Sequence, residues 1–487
     1  MATPIKFGTD GWRAIIAEDF TFANVRAVAL SAASFLKESG LAGRGMVVGY
    51  DTRFASDRFA EAVAEVVTAA GVPVALADRF CPTPAVSFNV LDRHAGGALM
   101  VTSSHNPASW NGLKYKPDYA GSASPEVVER LEAPLDQILK TNIARMSLDE
   151  AEAAGLLQRF DPRTPYLNRL RELLDLNRIR NAGLRIAVDS MYGTGQGYLP
   201  ELVAGGTSHV TELHAEHNPN FPGIHAPEPI ARNLQALSET MRERFDPLGS
   251  SSDARATAFD VGVALDGDAD RLGIMDENGN FVTQLQVFAL LVYYFLEVRG
   301  ERGPIVRSIT TSRMVDRLGE IYGVPVYETA VGFKYLGPKM IAENALIGGE
   351  ESGGYGFRGH VPERDGTLAG LYFLDLMART GKRPSELLEA LYAKVGPHFY
   401  DRADVEFGAG QKDAILSRVE SAHPKEVAGM KVTSTSALDG FLYNLEGGGW
   451  LLIRFSGTEP LMRIYTELTS QDLVPRVLQA GRQLAGV

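Results

Sequence analysis

The sequence predicts an α/β protein with three topologically similar mixed α/β domains and a smaller C-terminal α+β domain. Three observations carry this. Short apolar runs rich in β-formers alternate with helical patterns. The order strand, helix, strand, helix, strand occurs three times, and each third strand runs into a polar loop of Gly, Ser or Asp, a weak structural repeat. After about residue 395 the alternation gives way to longer strands with few helices.

In the first unit "GMVVGY" leads into "DTRFASDRFAEAVAEVVTAAG", where Ser56 is placed to cap a helix and Gly71 to end it. "VPVALA" and "GGALMVTSS" supply the second and third strands. The second unit runs "LRIAVDSMYGTG", "HVTELHAE" and "FDVGVALDGDADR", and "MDENGNFVTQLQ" reads as a hairpin leading out of it. "VFALLVYYFLEV" (287–298) is too short to span a bilayer and reads as a buried helix. The third unit is "PIVRSITTS", "RMVDRLGEIYG", "PVYETAVG" and "NALIGGEESGG"; the fourth holds "DVEFGAG", "MKVTSTSALDGFLYNL" and "GWLLIRFSGTEPLMRIYTEL" between helices. The expected boundaries are 1–160, 161–278, 279–395 and 396–487.

A chain of 487 residues, 45% hydrophobic, can bury several cores. The formal net charge of −12 disfavours nucleic acid and anionic membrane as partners, while leaving room for a local cationic site on a small anionic substrate. A single cysteine, Cys81, excludes an intrachain disulfide and is expected to be a packing residue. No apolar leader follows the first methionine, and a cytoplasmic location is expected.

Four loops carry candidate chemistry. In "ALMVTSSHNPASWNGLKY" two hydroxyls precede His105; neighbouring side chains usually diverge, and no Gly-x-Ser-x-Gly elbow is present. A nucleophilic serine and a polar turn closed by Pro107 both fit. In "VALDGDADR" Asp266, Asp268 and Asp270 alternate at the end of an apolar strand, which puts the carboxylates on one side if the extended backbone continues. Crowded carboxylates call for a cation, and hard oxygen ligands suit Mg2+. An EF-hand is disfavoured because Arg271 stands at its glycine position, although Glu277 falls at its last one. "IGGEESGGYGF" offers carboxylates and a hydroxyl that suit sugar hydroxyls, or a solvated glycine turn. "WLLIRFSGTEPLMR" combines Arg454, Ser456, Gly457 and Thr458 into a possible phosphate cradle, with Arg463 adding charge. "GTGQGY" lacks the third glycine of a dinucleotide fingerprint, because Tyr198 occupies it.

A nucleophile loop, a metal loop, a hydroxyl-reading loop and a phosphate cradle together describe phosphoryl transfer on a phosphorylated polyol or sugar. The ordered motifs "FGTDGWR", "TSSHNP", "DGDADR", "GEESGG" and "RFSGTEP" resemble the α-D-phosphohexomutase family over essentially the whole chain. The resemblance implies four domains around a central cleft. It implies that Ser104 is a phosphoserine whose oxygen joins Asp266, Asp268 and Asp270 around Mg2+. Arg13, His105, Lys114 and Arg271 match charged positions around the transferred group, with Lys114 as candidate acid/base. Glu350 and Ser352 match hydroxyl-reading residues, Arg454, Ser456, Gly457 and Thr458 the phosphate grip, and Lys334 and Arg364 cleft positions of the third domain.

The expected activity is interconversion of glucose 1-phosphate and glucose 6-phosphate, with glucose 1,6-bisphosphate as intermediate and activator. Glucose is preferred because "GEES", with Glu351 between Glu and Ser, resembles the phosphoglucomutase version; phosphomannomutase or dual specificity is the alternative. Beyond the hexose phosphate, the expected state is a monomer or small homo-oligomer. A phosphatase, or a non-catalytic sugar-phosphate or calcium-binding protein, would be the reading from another class.

Overall fold

The computed structural model describes residues 5–243, 258–408, 410–455 and 461–487. The first sheet has the order β1-β5-β4-β2-β3-β6, from β1 (Trp12–Ile15), β2 (Met46–Tyr50), β3 (Val74–Ala77), β4 (Gly97–Val101), β5 (Trp110–Pro117) and β6 (Leu157–Phe160). The second, β11-β10-β9-β7-β8, uses β7 (Arg185–Asp189), β8 (His209–Leu213), β9 (Val261–Leu265), β10 (Leu272–Met275) and β11 (Phe281–Val282). The third, β13-β12-β14-β15, uses β12 (Ile305–Ser308), β13 (Val326–Thr329), β14 (Ile347–Gly349) and β15 (Tyr355–Phe357).

The three sheets share one plan. The first parallel strand of the repeat lies between the second and the third, and a following strand returns antiparallel to the third. The polar loops seen in the sequence are therefore equivalent connections: β4 to β5, β9 to β10 and β14 to β15. The loops lie at the carboxyl ends of parallel strands, where α/β sheets leave ligands room.

The third strand of the first sheet is buried along its length, as an all-apolar run demands of a strand covered on both faces. Ala98 and Met100 face one core, and Leu99 and Val101 the other. The first of these cores continues through Ile186, Val263, Ile305 and Ile347, so one apolar body underlies all three α/β domains. The segment 284–298 is the expected buried helix, with its last turn widened to π. Thr283 caps it by accepting from the Gln286 backbone N–H. Among the described residues no helix is long and apolar enough to cross a membrane.

One local expectation is corrected. Ser56 does not cap its helix: Ala55, in a left-handed conformation, holds the cap position, and the Ser56 hydroxyl donates to Asp51 Oδ1 at 2.7 Å. Gly71 does take a positive φ just past the helix end, as expected of a stop. Cys81 is fully buried, and burial pushes its thiol up to about 12, which fits an inert packing residue.

The C-terminal sheet is antiparallel, in the order β16-β21-β20-β19-β18-β17, built from β16 (Phe399–Glu406), β17 (Glu426–Val427), β18 (Met430–Ser436), β19 (Phe441–Leu445), β20 (Trp450–Phe455) and β21 (Leu461–Leu468). Trp450, Leu452 and Tyr465 pack with Ile309 and seat this domain on the third. Beside them Glu467 is buried and accepts from the Arg313 backbone N–H at 2.8 Å.

Burial raises Glu467 from 4.5 to about 7. A carboxyl raised in the folded state stabilises most below its unfolded pKa, and that stability is lost as pH climbs through the folded value. Between pH 4.5 and 7 the loss is on the order of 3 kcal/mol. Thermal melts of Glu467→Gln at pH 5 and pH 8 are expected to show a gain in melting temperature over wild type that is larger at pH 8; an equal effect at both pH values would contradict the assignment.

Candidate active site

The three equivalent loops converge. Ser104, in the β4–β5 loop, has a left-handed backbone with φ of 50°, and its Oγ donates to Asp266 Oδ2 at 2.8 Å across the domain boundary. The same turn brings the hydroxyl to 3.2 Å from His105 Nδ1, so these neighbours meet despite the usual divergence. Burial, then the positive charges of Arg271 and Arg13, hold the His105 imidazole well below its usual range, so it is neutral. The Ser103 hydroxyl is buried and makes no hydrogen bond among the described residues.

The aspartates meet for a different reason than strand alternation. The β9 strand ends at Leu265, and a turn follows in which Ala269 is left-handed (φ 56°) and its N–H donates to the Asp266 carbonyl. The turn gathers one oxygen from each of Asp266, Asp268 and Asp270 within 4.8 Å of one another, all fully buried. Oδ1 of Asp268 and Oδ1 of Asp270 are buried and accept no hydrogen bond among the described residues. Buried carboxylate oxygens left open in this way suit a hard dication, so the residues fit Mg2+. Burial, and then Asp270 and Asp268, push Asp266 well above the carboxylate range, the response of an acid crowded by like charge.

Lys114, on β5, is buried among two of these acids and Asp10. Its Nζ lies 2.8 Å from Asp10 Oδ2, 2.8 Å from Asp268 Oδ2 and 2.8 Å from Asp270 Oδ2. Burial alone would lower its pKa; the three carboxylates reverse this and hold it above the lysine range. Burial likewise works to raise Asp268, but Lys114 and the Thr83 hydroxyl, 2.5 Å away, hold it low. Lys114 is thus held as an ammonium that donates to all three carboxylates.

Arg364 is no surface cation. It is buried, donates to Asp10, and lies 3.0 Å from Asp270 and 3.9 Å from Glu350. Arg13 Nη1 donates to Asn106 Oδ1 at 2.8 Å. Arg271 spans Glu228, Asp270 and Asp266 at 3.6, 3.8 and 3.9 Å.

In the third loop Glu350 Oε1 accepts from the Gly332 N–H at 2.7 Å, and burial raises its pKa. The Ser352 hydroxyl is buried and makes no hydrogen bond among the described residues, which leaves it uncommitted to any of them. Glu351 turns away to Arg402 of the C-terminal domain at 2.9 Å. Lys334 lies against the Tyr335 ring at 5.4 Å, apart from the ion pairs of the cluster. Arg454 pairs with Asp439 at 2.9 Å, and Arg463 lies 3.8 Å from Asp404. Ser456, Gly457 and Thr458 lie outside the described residues.

Asp10, Thr83, Lys116 and Glu363 belong to the cluster but were not singled out from the sequence. Lys116 Nζ lies 2.5 Å from Glu363 and 3.2 Å from Asp10. Asp10 sits inside "FGTDGWR" and Glu363 directly before Arg364; Thr83 and Lys116 stand in segments with no chemical signature of their own.

Models of the four domains of one family, phosphoglucomutase/phosphomannomutase, match this chain: α/β/α domain I over 4–142, domain II over 164–279, domain III over 284–395 and the C-terminal domain over 417–483. A phosphoglucomutase/phosphomannomutase of Thermococcus kodakarensis is 30% identical over 98% of both chains. A phosphoglucosamine mutase of Cereibacter sphaeroides is also 30% identical, over 98% of this chain and 99% of that one. The crystal structure of a Thermus thermophilus protein, provisionally named a phosphomannomutase, superposes with a TM-score of 0.83 at 34% identity over the full length of both.

The open oxygens of the aspartate turn yield a direct test. Titrating Mg2+ is expected to stabilise the fold by mass action, by about 2.7 kcal/mol at a hundredfold excess over Kd, and so to raise the melting temperature. Asp268→Asn should remove most of that rise; a variant that responds like wild type would place the ion elsewhere.

Proposed function

We propose that this chain, which belongs to the phosphoglucomutase/phosphomannomutase family, interconverts glucose 1-phosphate and glucose 6-phosphate through a phosphoserine at Ser104. It is a phosphohexomutase; the hexose and the residue roles are the proposal. The observation that carries it is the Ser104 hydroxyl set 2.8 Å from Asp266 at the mouth of the three-aspartate turn.

In the forward half-reaction a sugar hydroxyl oxygen bonds to phosphorus as the phosphorus–oxygen bond to Ser104 breaks, and the hydroxyl's proton ends on the Ser104 oxygen, which is left as a free hydroxyl. The product is the hexose 1,6-bisphosphate. In the second half-reaction the other phosphate returns to Ser104. Mg2+ held by Asp266, Asp268, Asp270 and a phosphoserine oxygen supplies neutralisation of charge developing on the transferred group.

Arg13 and Arg271 flank the loop and orient that group. His105, neutral, offers a donor or acceptor without adding charge. Lys114 holds Asp268 and Asp270 together by offsetting their mutual repulsion and presents a fixed positive charge. Glu350 and the open hydroxyl of Ser352 read sugar hydroxyls, with Arg364 behind Glu350 and Lys334 on the wall of the cleft. Arg454, Ser456, Gly457, Thr458 and Arg463 grip the phosphate that does not react. The domain divisions at 160, 278 and 395 are part of this reading; the first, third and C-terminal sheets each close within one segment, whereas β11 (Phe281–Val282) of the second sheet falls just past 278.

The choice of glucose rests on "GEES". Glu351 directs its carboxylate to Arg402, so it bears on the sugar through the placement of the C-terminal domain. Relatives named for glucose, mannose and glucosamine phosphates make these three the substrates to compare. kcat/KM is expected to be highest for glucose 1-phosphate; a higher value for mannose 1-phosphate or glucosamine 6-phosphate would overturn the sugar assignment. Ser104→Ala should lower kcat at least ~1000-fold with substrate binding kept, since it removes the group that carries phosphate. Full turnover in that variant would overturn the mechanism.

A further inference from the structure

We infer that Arg53 is a positioning residue for the nucleophile, an inference that rests on the phosphoserine reading of Ser104. Arg53 follows β2, is 3% exposed, and touches none of the groups assigned above to substrate. Its guanidinium is instead aimed at the backbone of the serine loop. Nη2 donates to the carbonyls of Ser104 (2.7 Å) and Asn106 (2.6 Å). Nη1 donates to those of Pro107 (2.8 Å) and Trp110 (3.0 Å).

Four carbonyls converging on one point need a planar fork of donors, which only arginine supplies; a lysine ammonium offers three donors from a single atom. The fork is itself held. Asp51 Oδ2 lies 3.2 Å from Nε, Asp51 Oδ1 accepts from the Arg53 N–H and from Ser56, and the Phe221 ring of the second domain covers the guanidinium at 5.1 Å.

The contacts have a specific consequence at Ser104. A serine in the left-handed region carries strain that its surroundings must over-determine. Arg53 grips the carbonyl on one side of that residue, while the Thr102 hydroxyl accepts from the Ser104 N–H at 2.9 Å on the other. The adjacent Thr52 anchors the same segment to the second domain, its hydroxyl donating to the Tyr192 carbonyl at 2.8 Å and its carbonyl meeting His217 Nε2 at 3.0 Å. Residues 51–53 therefore set the register between the serine loop and the domain that carries the aspartates. Displacing a reacting atom by about 1 Å can cost on the order of a hundredfold in rate without altering ground-state affinity.

The test compares wild type, Arg53→Lys and, as a milder change that keeps the packing, Asp51→Asn. Each is incubated with glucose 1,6-bisphosphate and Mg2+, and phosphate on the 98–115 peptide is followed over time by mass spectrometry beside steady-state kinetics and thermal melts. For Arg53→Lys, folded at the assay temperature, kcat and the rate of Ser104 phosphorylation are expected to fall together by ~100-fold, with KM within ~3-fold of wild type. Asp51→Asn should move the same two rates in the same direction by ~10-fold. A purely structural role would lower the melting temperature and leave both rates per folded molecule unchanged, and that result overturns the inference. If Arg53→Lys does not fold, the Asp51→Asn rates decide by the same criterion. A wild-type chain that takes no phosphate on Ser104 would overturn the functional reading itself; a phosphorylated wild type beside variants of unchanged rate overturns the role of Arg53 alone.

Discussion

One ammonium group organises the cleft. Lys114 Nζ has carboxylates from the segment before β1 and from the β9–β10 turn around it, each at 2.8 Å. Arg364, from the third domain, reaches two of the same acids, Asp10 and Asp270. Buried ion pairs seldom add net stability, because desolvation offsets most of the attraction. Their worth here is registry. Three domains can bring these charges together in only one relative placement, and any slip leaves a charge buried and unpaired, at a cost of about 3–5 kcal/mol.

That registry explains how two unfavourable backbone conformations persist side by side. Ser104 and Ala269 are both left-handed without being glycine, which costs on the order of 1–3 kcal/mol each. Neither turn is stabilised by its own sequence. Ser104 is held by hydrogen bonds to its loop and by Asp266; the Ala269 turn is held by Lys114, Thr83 and the Ala269 carbonyl's acceptance from the Gly366 N–H. The packing of domains thus fixes the local geometry, and the local geometry presents hydroxyl and carboxylates to one another.

This is also why the sequence revealed the site's components more readily than its arrangement. Strand and loop order were legible because periodicity and glycine punctuation are local, and a polar loop after each third strand has a position in an α/β sheet that follows from chain direction alone. Contacts between residues 10, 114, 268 and 364 carry no local signal, because the partners stand in segments far apart in the chain. The alternation argument for the aspartates reached the right residues by the wrong geometry, because a turn begins at Asp266. Ser56 shows the same limit: its hydroxyl suits a cap, but the buried Asp51 is a stronger competitor than a helix N–H. Glu351, which looks from its motif like a reader of sugar, is drawn off by a cation more than fifty positions away in the chain.

The charge in the cluster accounts for the need for both a fixed lysine and a metal. Lys114, Lys116 and Arg364 are joined by close ion pairs to Asp10, Asp268, Asp270 and Glu363, three cations against four carboxylates. One negative charge is already in excess before Asp266 is counted, and burial beside Asp270 and Asp268 pushes Asp266 above the carboxylate range. On the proposed reading, phosphorylation of Ser104 adds about 1.5–2 further negative charges at the same place. The paired cations cannot offset that addition, since moving any of them would expose a buried carboxylate. Arg271, whose ion pairs are longer than hydrogen bonds, and Arg13, with one nitrogen committed to Asn106, have capacity left. So do the open oxygens of Asp268 and Asp270, which can accept a dication without displacing Lys114. The lysine therefore makes the aspartate turn stable enough to exist, and what the turn leaves unsatisfied is what lets it receive a phosphate.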